Sequence, residues 1–445
     1  VTHQPMHSTL LYRSVSLAVL VGLSPLAGAL QLYADGQTQI DAKLQAAAGA
    51  FYSRENYAQS GTRAKGSSSW QESAFQYGLD LKHSSNSFGN SYAALNWVST
   101  GTYGDGDPAG WSNGSERTTK IEDAYIGWRS AELFPQLGTD GIDFSVGRQN
   151  IVIGDGFLVS GDALNLGREV ADGRQNRGGA YYLTSRKAFD QTVVLRLGGK
   201  QGWRSDLMWL KSDNPGQAKP EVAVGTLEHV NEKGTIGLTY LKVLDTDKEL
   251  ADLFFPERKG MKQYSVRAQG NAGVPNLFLA GEYAREHKSS GEENAWYMEA
   301  GWTFSDLPLK PVVNYRYSRF SEGYDPLFYG NGRALGTWYQ GEVASNYAGP
   351  FNSNTQVHHV GIKVAAAPSV NVGALLYDFS TLDRSRKNLD GREADLYAEW
   401  TINEHFTLLP LVGFYKPEKS DASGGTQLGS SDTNLYAQVI LAASF

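Results

Sequence analysis

The chain contains no cysteine, only 4 methionines and only 15 prolines in 445 residues. Without a thiol it is no disulfide scaffold, no thiolate zinc site and no cysteine-nucleophile enzyme. Its mean hydropathy of −0.39 excludes a bundle of membrane-crossing helices, each of which needs about 20 consecutive apolar residues. Basic charge is not in excess: 40 Lys+Arg stand against 47 Asp+Glu, for a net charge of −7. A nucleic-acid-binding protein would carry a basic face, so that class is set aside. What the chain has in plenty is glycine, 50 residues, and aromatics, 12%. Polar on average yet rich in Gly and aromatic side chains is the composition of a transmembrane β-barrel, whose strands face lipid and water alternately.

The first residues follow the order of a secretory signal peptide. Arg13 precedes the apolar run 15–23, Ser24-Pro25 breaks it, and Ala27-Gly28-Ala29 supplies small residues for cleavage. The run is too short to span as a helix. The expectation is a cleaved signal at 1–29 and a single barrel domain over 30–445. At the other end, Leu435, Ala437, Val439, Leu441, Ala443 and Phe445 form one alternating apolar face, the period of a strand against lipid. A last strand ending in Phe resembles the terminal strand of bacterial outer-membrane barrels, which implies recognition of Phe445 by barrel-assembly machinery and an outer-membrane location.

Alternation recurs from about residue 38 to the end. Phe75, Tyr77, Leu79 and Leu81 oppose Glu72, Gln76, Asp80 and Lys82; Tyr264 and Val266 oppose Gln263, Ser265 and Arg267. Trp296, Met298 and Trp302 oppose Tyr297, Glu299 and Thr303, and Val313, Tyr315 and Tyr317 oppose Asn314, Arg316 and Ser318. Segments 82–89, 271–275, 305–308 and 367–369 read as short periplasmic turns. Longer polar segments near 55–69, 102–117, 150–188, 246–260, 321–353 and 417–431 read as extracellular loops. The result is an all-β antiparallel transmembrane barrel of about 18 strands, wide enough for an aqueous channel unless loops fill it.

The string Ile142-Asp-Phe-Ser-Val-Gly-Arg-Gln149, followed by Ile153-Gly-Asp-Gly-Phe157, resembles the alginate-export family of outer-membrane barrels, as does Ile121-Glu-Asp-Ala-Tyr-Ile-Gly-Trp128 before it. The resemblance implies an eighteen-stranded monomeric barrel whose lumen is lined by Arg and Lys and conducts an anionic polysaccharide. The inward faces of this chain are more mixed. Their basic residues are Arg148, Arg196, Arg204, Arg267, Arg316 and Lys363; their acids are Asp80, Asp123, Asp206, Glu282, Glu299, Asp378, Asp395 and Glu399.

The long segment 150–188 is the best candidate to fold inward and narrow the pore. It brings Arg168, Arg174, Arg177, Arg186 and Lys187 against Asp155, Asp162, Glu169 and Asp172. Rings of Arg and Lys select anions, and the guanidinium fork suits carboxylates. The plainer reading is that many of these charges pair across the lumen and solvate it. Loop 321–353 carries Tyr324, Phe328, Tyr329, Trp338, Tyr339, Tyr347 and Phe351; Tyr324, Trp338 and Tyr339 could stack on sugar rings, but the favoured reading is that the rings pack the loop on itself or belong to the outer girdle.

Catalytic and metal readings are weaker. Asp105-Gly-Asp-Pro-Ala-Gly110 with Glu116 approximates a calcium loop, but Ala109 and Pro108 break the pattern. His358 and His359 are adjacent, so on a strand their rings point apart. His83 and Ser85 suggest a lipase-like pair without a third member. No phosphate-binding Gly loop is present, and neither a cofactor nor a metal is expected. The primary expectation is a passive, non-enzymatic channel for anionic polysaccharide, oligosaccharide or small anionic solutes. The alternatives are a general or nutrient-uptake porin, an outer-membrane barrel enzyme of lipase type, and a plugged structural barrel.

Overall fold

The computed structural model describes residues 30–56, 66–329, 341–343, 352–386, 388–425 and 430–445. The expected signal peptide at 1–29 lies outside the described residues, as do Trp338, Tyr339 and Tyr347. The chain enters with β1 (Leu30–Ala34), β2 (Thr38–Ser53), β3 (Ser68–Ser85), β4 (Gly89–Gly104), β5 (Arg117–Arg129) and β6 (Ile142–Gln149). It continues with β7 (Phe189–Leu197), β8 (Gly202–Lys211), β9 (Glu221–Asn231), β10 (Gly234–Asp245), β11 (Lys262–Gly270), β12 (Leu277–Lys288) and β13 (Gly291–Thr303). It ends with β14 (Val312–Phe320), β15 (Thr355–Ala367), β16 (Val370–Thr381), β17 (Gly391–Thr401), β18 (Phe406–Pro417) and β19 (Asn434–Ser444).

Each strand from β2 onward pairs antiparallel with the next, and β19 pairs back onto β2 from Tyr436↔Ser53 to Ser444↔Gln45. These eighteen strands close a barrel, as the alternation predicts. Among the described strands β2 to β19 closure leaves no open sheet edge, the condition for placing β-structure in lipid. Strand β1 completes the seam. It pairs with the first part of β2, Leu30 opposite Ala42, just beyond the point where the Phe445 amide donates to the Leu44 carbonyl at 2.9 Å.

The period of two separates the faces cleanly. Leu79, Leu95, Leu207, Ile236, Tyr264, Met298, Leu396 and Val439 are exposed on the outside. Their neighbours Gln76, Gln263, Tyr297, Asp395 and Gln438 are buried within. Phe88, Trp128, Trp203, Trp302 and Trp400 gather at the end of the short turns, where Trp128 Nε1 donates to the Phe88 carbonyl at 2.6 Å. Tyr52, Tyr103, Tyr240 and Tyr264 sit towards the long-loop end. Two aromatic girdles flanking an apolar belt are what a bilayer demands of a barrel.

Three features differ from the sequence reading. Asp378, expected inward, lies on the outer face: its neighbours Tyr377 and Phe379 are the buried ones, and it pairs with Arg392 at 3.1 Å. The β16 pattern there is aromatic–acid–aromatic, and an apolar rule cannot tell a lumen packed with rings from lipid. Residues 289 and 290 form a tight hairpin at the long-loop end, between β12 and β13. The connections 212–220 and 382–390 are also loops of that end.

Candidate functional site

Segment 150–188 folds into the barrel and crosses it. The entry is prepared in β6. Alternation from the exposed Val146 would send Arg148 into lipid, but the register slips between Gly147 and Gln149. A bulge of this kind re-aims a side chain. Gly147 makes it possible with φ +129°, and a Cβ there would lie 2.3 Å from the Ala124 carbonyl oxygen. Arg148 therefore turns inward, while Gln149 Nε2 donates to Thr192 Oγ1 at 2.7 Å and to Ser145 Oγ at 3.0 Å.

The crossing segment is fastened at both walls. On one side Glu72 of β3 accepts from the amides of Tyr182 at 2.9 Å and Leu183 at 3.0 Å. Glu122 of β5 accepts from those of Lys187 at 2.6 Å and Ala188 at 2.8 Å, and Thr102 Oγ1 accepts from Ala180 N at 2.8 Å. Glu122 faces inward together with Asp123 because β5 is bulged against β4 between Asn96 and Trp97. On the far side the Tyr297 hydroxyl of β13 donates to Asp155, and the Phe157 ring lies 5.1 Å from Tyr297 and 5.9 Å from Phe320. Two apolar clusters seal these anchor points. Tyr181, Tyr182 and Leu183 pack with Phe51, Trp70 and Tyr436, and Ile153, Phe157 and Val159 pack with Val194, Val224 and Phe320. A covered, water-poor backbone must find such partners, which is why acids stand on the inner wall opposite loop amides.

The crossing segment narrows the lumen, and a charged cavity lies beside it. A cavity of about 420 Å³ is lined by Glu116, Arg117, Thr118, Lys120, Arg168, Arg177, Arg186 and Asp213, among others. Arg148 donates to Asp213 and to Asp190, each at 2.9 Å. Arg177 pairs with Asp162 at 3.1 Å and Asp213 at 3.3 Å, and Arg186 reaches Asp213 at 3.7 Å. Burial pushes the Asp162 carboxyl up to about 6 against the pull of Arg177. Burial likewise brings Lys187 down to about 8, with Glu122 opposing, and Arg186 down to about 10, with Arg177 adding to the effect. Burial works against the Asp213 charge too, yet Arg177 and Arg148 hold its carboxyl below the usual range.

The residues expected to line the pore divide into groups. Arg168 and Arg177 line this cavity and Arg148 stands behind it on Asp213, while Arg174 is exposed and donates to the carbonyl of Ala171 at 3.2 Å, outside the lining. Arg196 pairs with Asp143 and Asp206, and Arg204 and Arg267 share Glu228. Lys363 reaches Glu399 at 3.6 Å, and Arg316 is buried in the wall. Tyr324 is 2% exposed and packs on Phe320 at 5.9 Å. It therefore offers no face to a sugar, because the ring is spent in holding its loop. Sequence reasoning missed Asp213, Asp190, Lys120 and the docking roles of Glu72 and Glu122. Ser212-Asp213-Asn214-Pro215 gives only a turn signal.

Asp107 accepts from the amides of Ala109, Trp111 and Ser112, so the calcium-like string is a turn organised by its own carboxylate. His358 is exposed outside and His359 buried within, as their adjacency requires. His83 Nδ1 lies 3.0 Å from Thr38 Oγ1. Among the described residues no three His, Cys, Asp or Glu side chains are grouped to hold a metal ion.

A closed antiparallel barrel of eighteen strands, belted by apolar side chains and narrowed by an inward loop, has the architecture of a bacterial outer-membrane porin. Known structures bear this out at the level of fold. A BenF-like porin from Pseudomonas fluorescens Pf-5 superposes with a TM-score of 0.58 at 10% identity, covering 91% of this chain and 98% of the other. Pseudomonas aeruginosa OccK5 (OpdH) gives 0.56 at 10% identity over 91% and 98%, and P. aeruginosa OccK7 (OpdD) gives 0.52 at 12% over 91% and 99%. No family model and no curated protein matches the sequence. The resemblance to the alginate-export family gains nothing from these matches.

Proposed function

We propose that the chain is a passive channel of the bacterial outer membrane, a nutrient-uptake porin for small solutes with a preference for anions. The observation that carries this reading is the constriction: Lys120, Arg168, Arg177 and Arg186 line it against the acids Glu116 and Asp213, while Arg117 lays its guanidinium over the Tyr103 ring of the outer girdle. A narrow passage lined by one sign of charge, within low-dielectric walls, concentrates solutes of the other sign. An exported polysaccharide of alginate type is the narrower reading. A lumen crossed by a buried loop leaves such a chain little room, so the small-solute porin is preferred.

The test is reconstitution of the folded chain in a planar bilayer, with conductance and reversal potential recorded across a salt gradient. Small, anion-selective openings are expected. Large unselective openings would retire the anion preference. Silence from demonstrably folded barrel would retire the channel and favour a plugged structural barrel.

A further inference from the structure

Asp213 stands apart from the other carboxylates of the lumen. It lies on the short loop after β8, not on the crossing segment, and the turn around it is tied down. Ser212 Oγ donates to Asp162 Oδ2 at 2.9 Å, Asn214 N donates to Ser212 Oγ at 2.9 Å, and Asn214 Oδ1 accepts from Gly216 N at 3.0 Å. Asn214 Nδ2 also donates to the carbonyl of Ala163. Between these locked neighbours the Asp213 side chain projects into the cavity, 35% exposed, while the guanidiniums of Arg148, Arg177 and Arg186 around it are nearly covered. Three cations converge on one carboxylate. Even so, Arg148 Nε and Nη2, Arg177 Nε and Arg186 Nε are buried with no hydrogen-bond acceptor among the described residues. Asp162 Oδ1 and Asp213 Oδ1 are buried without a hydrogen bond as well, so the cluster's own acids leave guanidinium donors unmatched, which costs free energy unless another acceptor arrives.

We infer that Asp213 is a built-in counter-anion: it occupies the anion position of the constriction, and an entering carboxylate must compete with it for Arg177 and Arg186. This rests on the channel reading above. A tethered group competes at an effective concentration in the millimolar range or higher, so it weakens the apparent affinity for any free carboxylate. Asp213 therefore sets selectivity by partial self-occupation. It keeps three close guanidiniums from repelling one another, and it keeps a solute anion from binding so tightly that it cannot leave, a condition for conduction. The Asp213 carboxyl stays ionised through the ordinary pH range, because Arg177 and Arg148 outweigh its burial.

The experiment compares wild type with Asp213→Asn and Asp213→Glu in planar bilayers, after heat-modifiable gel migration has shown each barrel folded. The readouts are the chloride-to-potassium permeability ratio in KCl and the acetate concentration that halves the chloride current. Asp213→Asn is expected to raise the ratio by about threefold or more and to lower the half-blocking acetate concentration by a similar factor. Asp213→Glu should stay near wild type. Should the amide prevent folding, Asp213→Ser makes the same comparison. Wild-type currents with both readouts unchanged in the neutral variant would overturn the role of Asp213 and leave the channel standing. A silent wild type would overturn the channel itself and this inference with it.

Discussion

The strand wall and the crossing loop hold their charges in opposite ways. On the wall, basic side chains meet acids one to three strands away. Arg196 lies between Asp143 and Asp206, Arg129 lies 3.0 Å from Asp143, Lys43 lies 3.4 Å from Asp123, and Lys363 faces Glu399. At the loop, three guanidiniums share Asp213 while Asp190 and Asp162 each take one of them, and the cavity lining carries more basic than acidic side chains. The wall is wide, wet and locally neutral, so its field is short-ranged and screened within about 10 Å at ordinary salt. The constriction is narrow and walled by buried apolar clusters, where an unbalanced charge acts with little screening. On the channel reading proposed above, charge on a barrel strand serves solvation, and charge on the inward loop is placed to choose the solute.

The largest change should follow from detaching the loop. Glu72→Ala with Glu122→Ala would leave four buried loop amides without their acceptors, at about 1–3 kcal/mol each. The loop is then expected to leave the wall. Single-channel conductance should rise severalfold and anion preference should fall towards that of the neutral wall. Conductance unchanged in the folded double variant would mean that the apolar contacts of Tyr181, Tyr182 and Phe157 hold the loop without the acids. A smaller effect, on selectivity alone, is expected from Arg177→Gln with Arg186→Gln: about a tenfold loss of anion preference in reversal potential. No loss would move selectivity away from this cluster.

Much of the barrel is legible in the sequence because lipid enforces it. Every exposed position between the girdles must be apolar, so Phe75, Tyr264, Met298 and Val439 mark their strands without any tertiary knowledge. The inward loop is legible from its length alone. What the pattern cannot carry is decided by contact across the lumen. Glu72 reads as one more wetted acid until the amides of Tyr182 and Leu183 meet it. Asp213 sits in an ordinary turn, and its meaning comes from three arginines drawn from β6 and the far end of the crossing loop. Arg148 is inward as the sequence reading has it, but by a one-residue slip and not by the strict alternation on which that reading rests. Asp378 fails for the reverse reason, since the aromatic rings beside it line the lumen instead of lipid.

A pH series sharpens the contrast further, because the loop holds groups that titrate near neutrality. Asp162, raised to about 6 by burial, gains a proton as the pH falls through that value and leaves Arg177 less compensated. Lys187, lowered to about 8, loses its charge as the pH rises past that value. Both steps have one sign: anion preference should decline from pH 5 to pH 9, by about twofold to threefold at each step. Asp162→Asn should flatten the lower step and Lys187→Met the upper. A profile that rises with pH would contradict both assignments.

The smallest effect belongs to the wall, and it is the sharpest control. Arg196→Gln removes a positive charge of the same kind as Arg177, also facing the lumen, but one that is 37% exposed and set between two carboxylates at 3.8 Å and 3.9 Å. Water and counter-ions already screen it, and such exposed pairs contribute about 0–1 kcal/mol. Reversal potential should therefore move by less than about twofold in permeability ratio, and barrel stability by less than about 1 kcal/mol. If Arg196→Gln instead matched the loss seen on removing Arg177 and Arg186, the lumen would be reading its total charge. The placement of guanidiniums on the loop would then have no special consequence. If it left selectivity in place while the loop variants abolished it, the difference between the two regions would rest on geometry, since the residue type and the sign of the charge are the same in both.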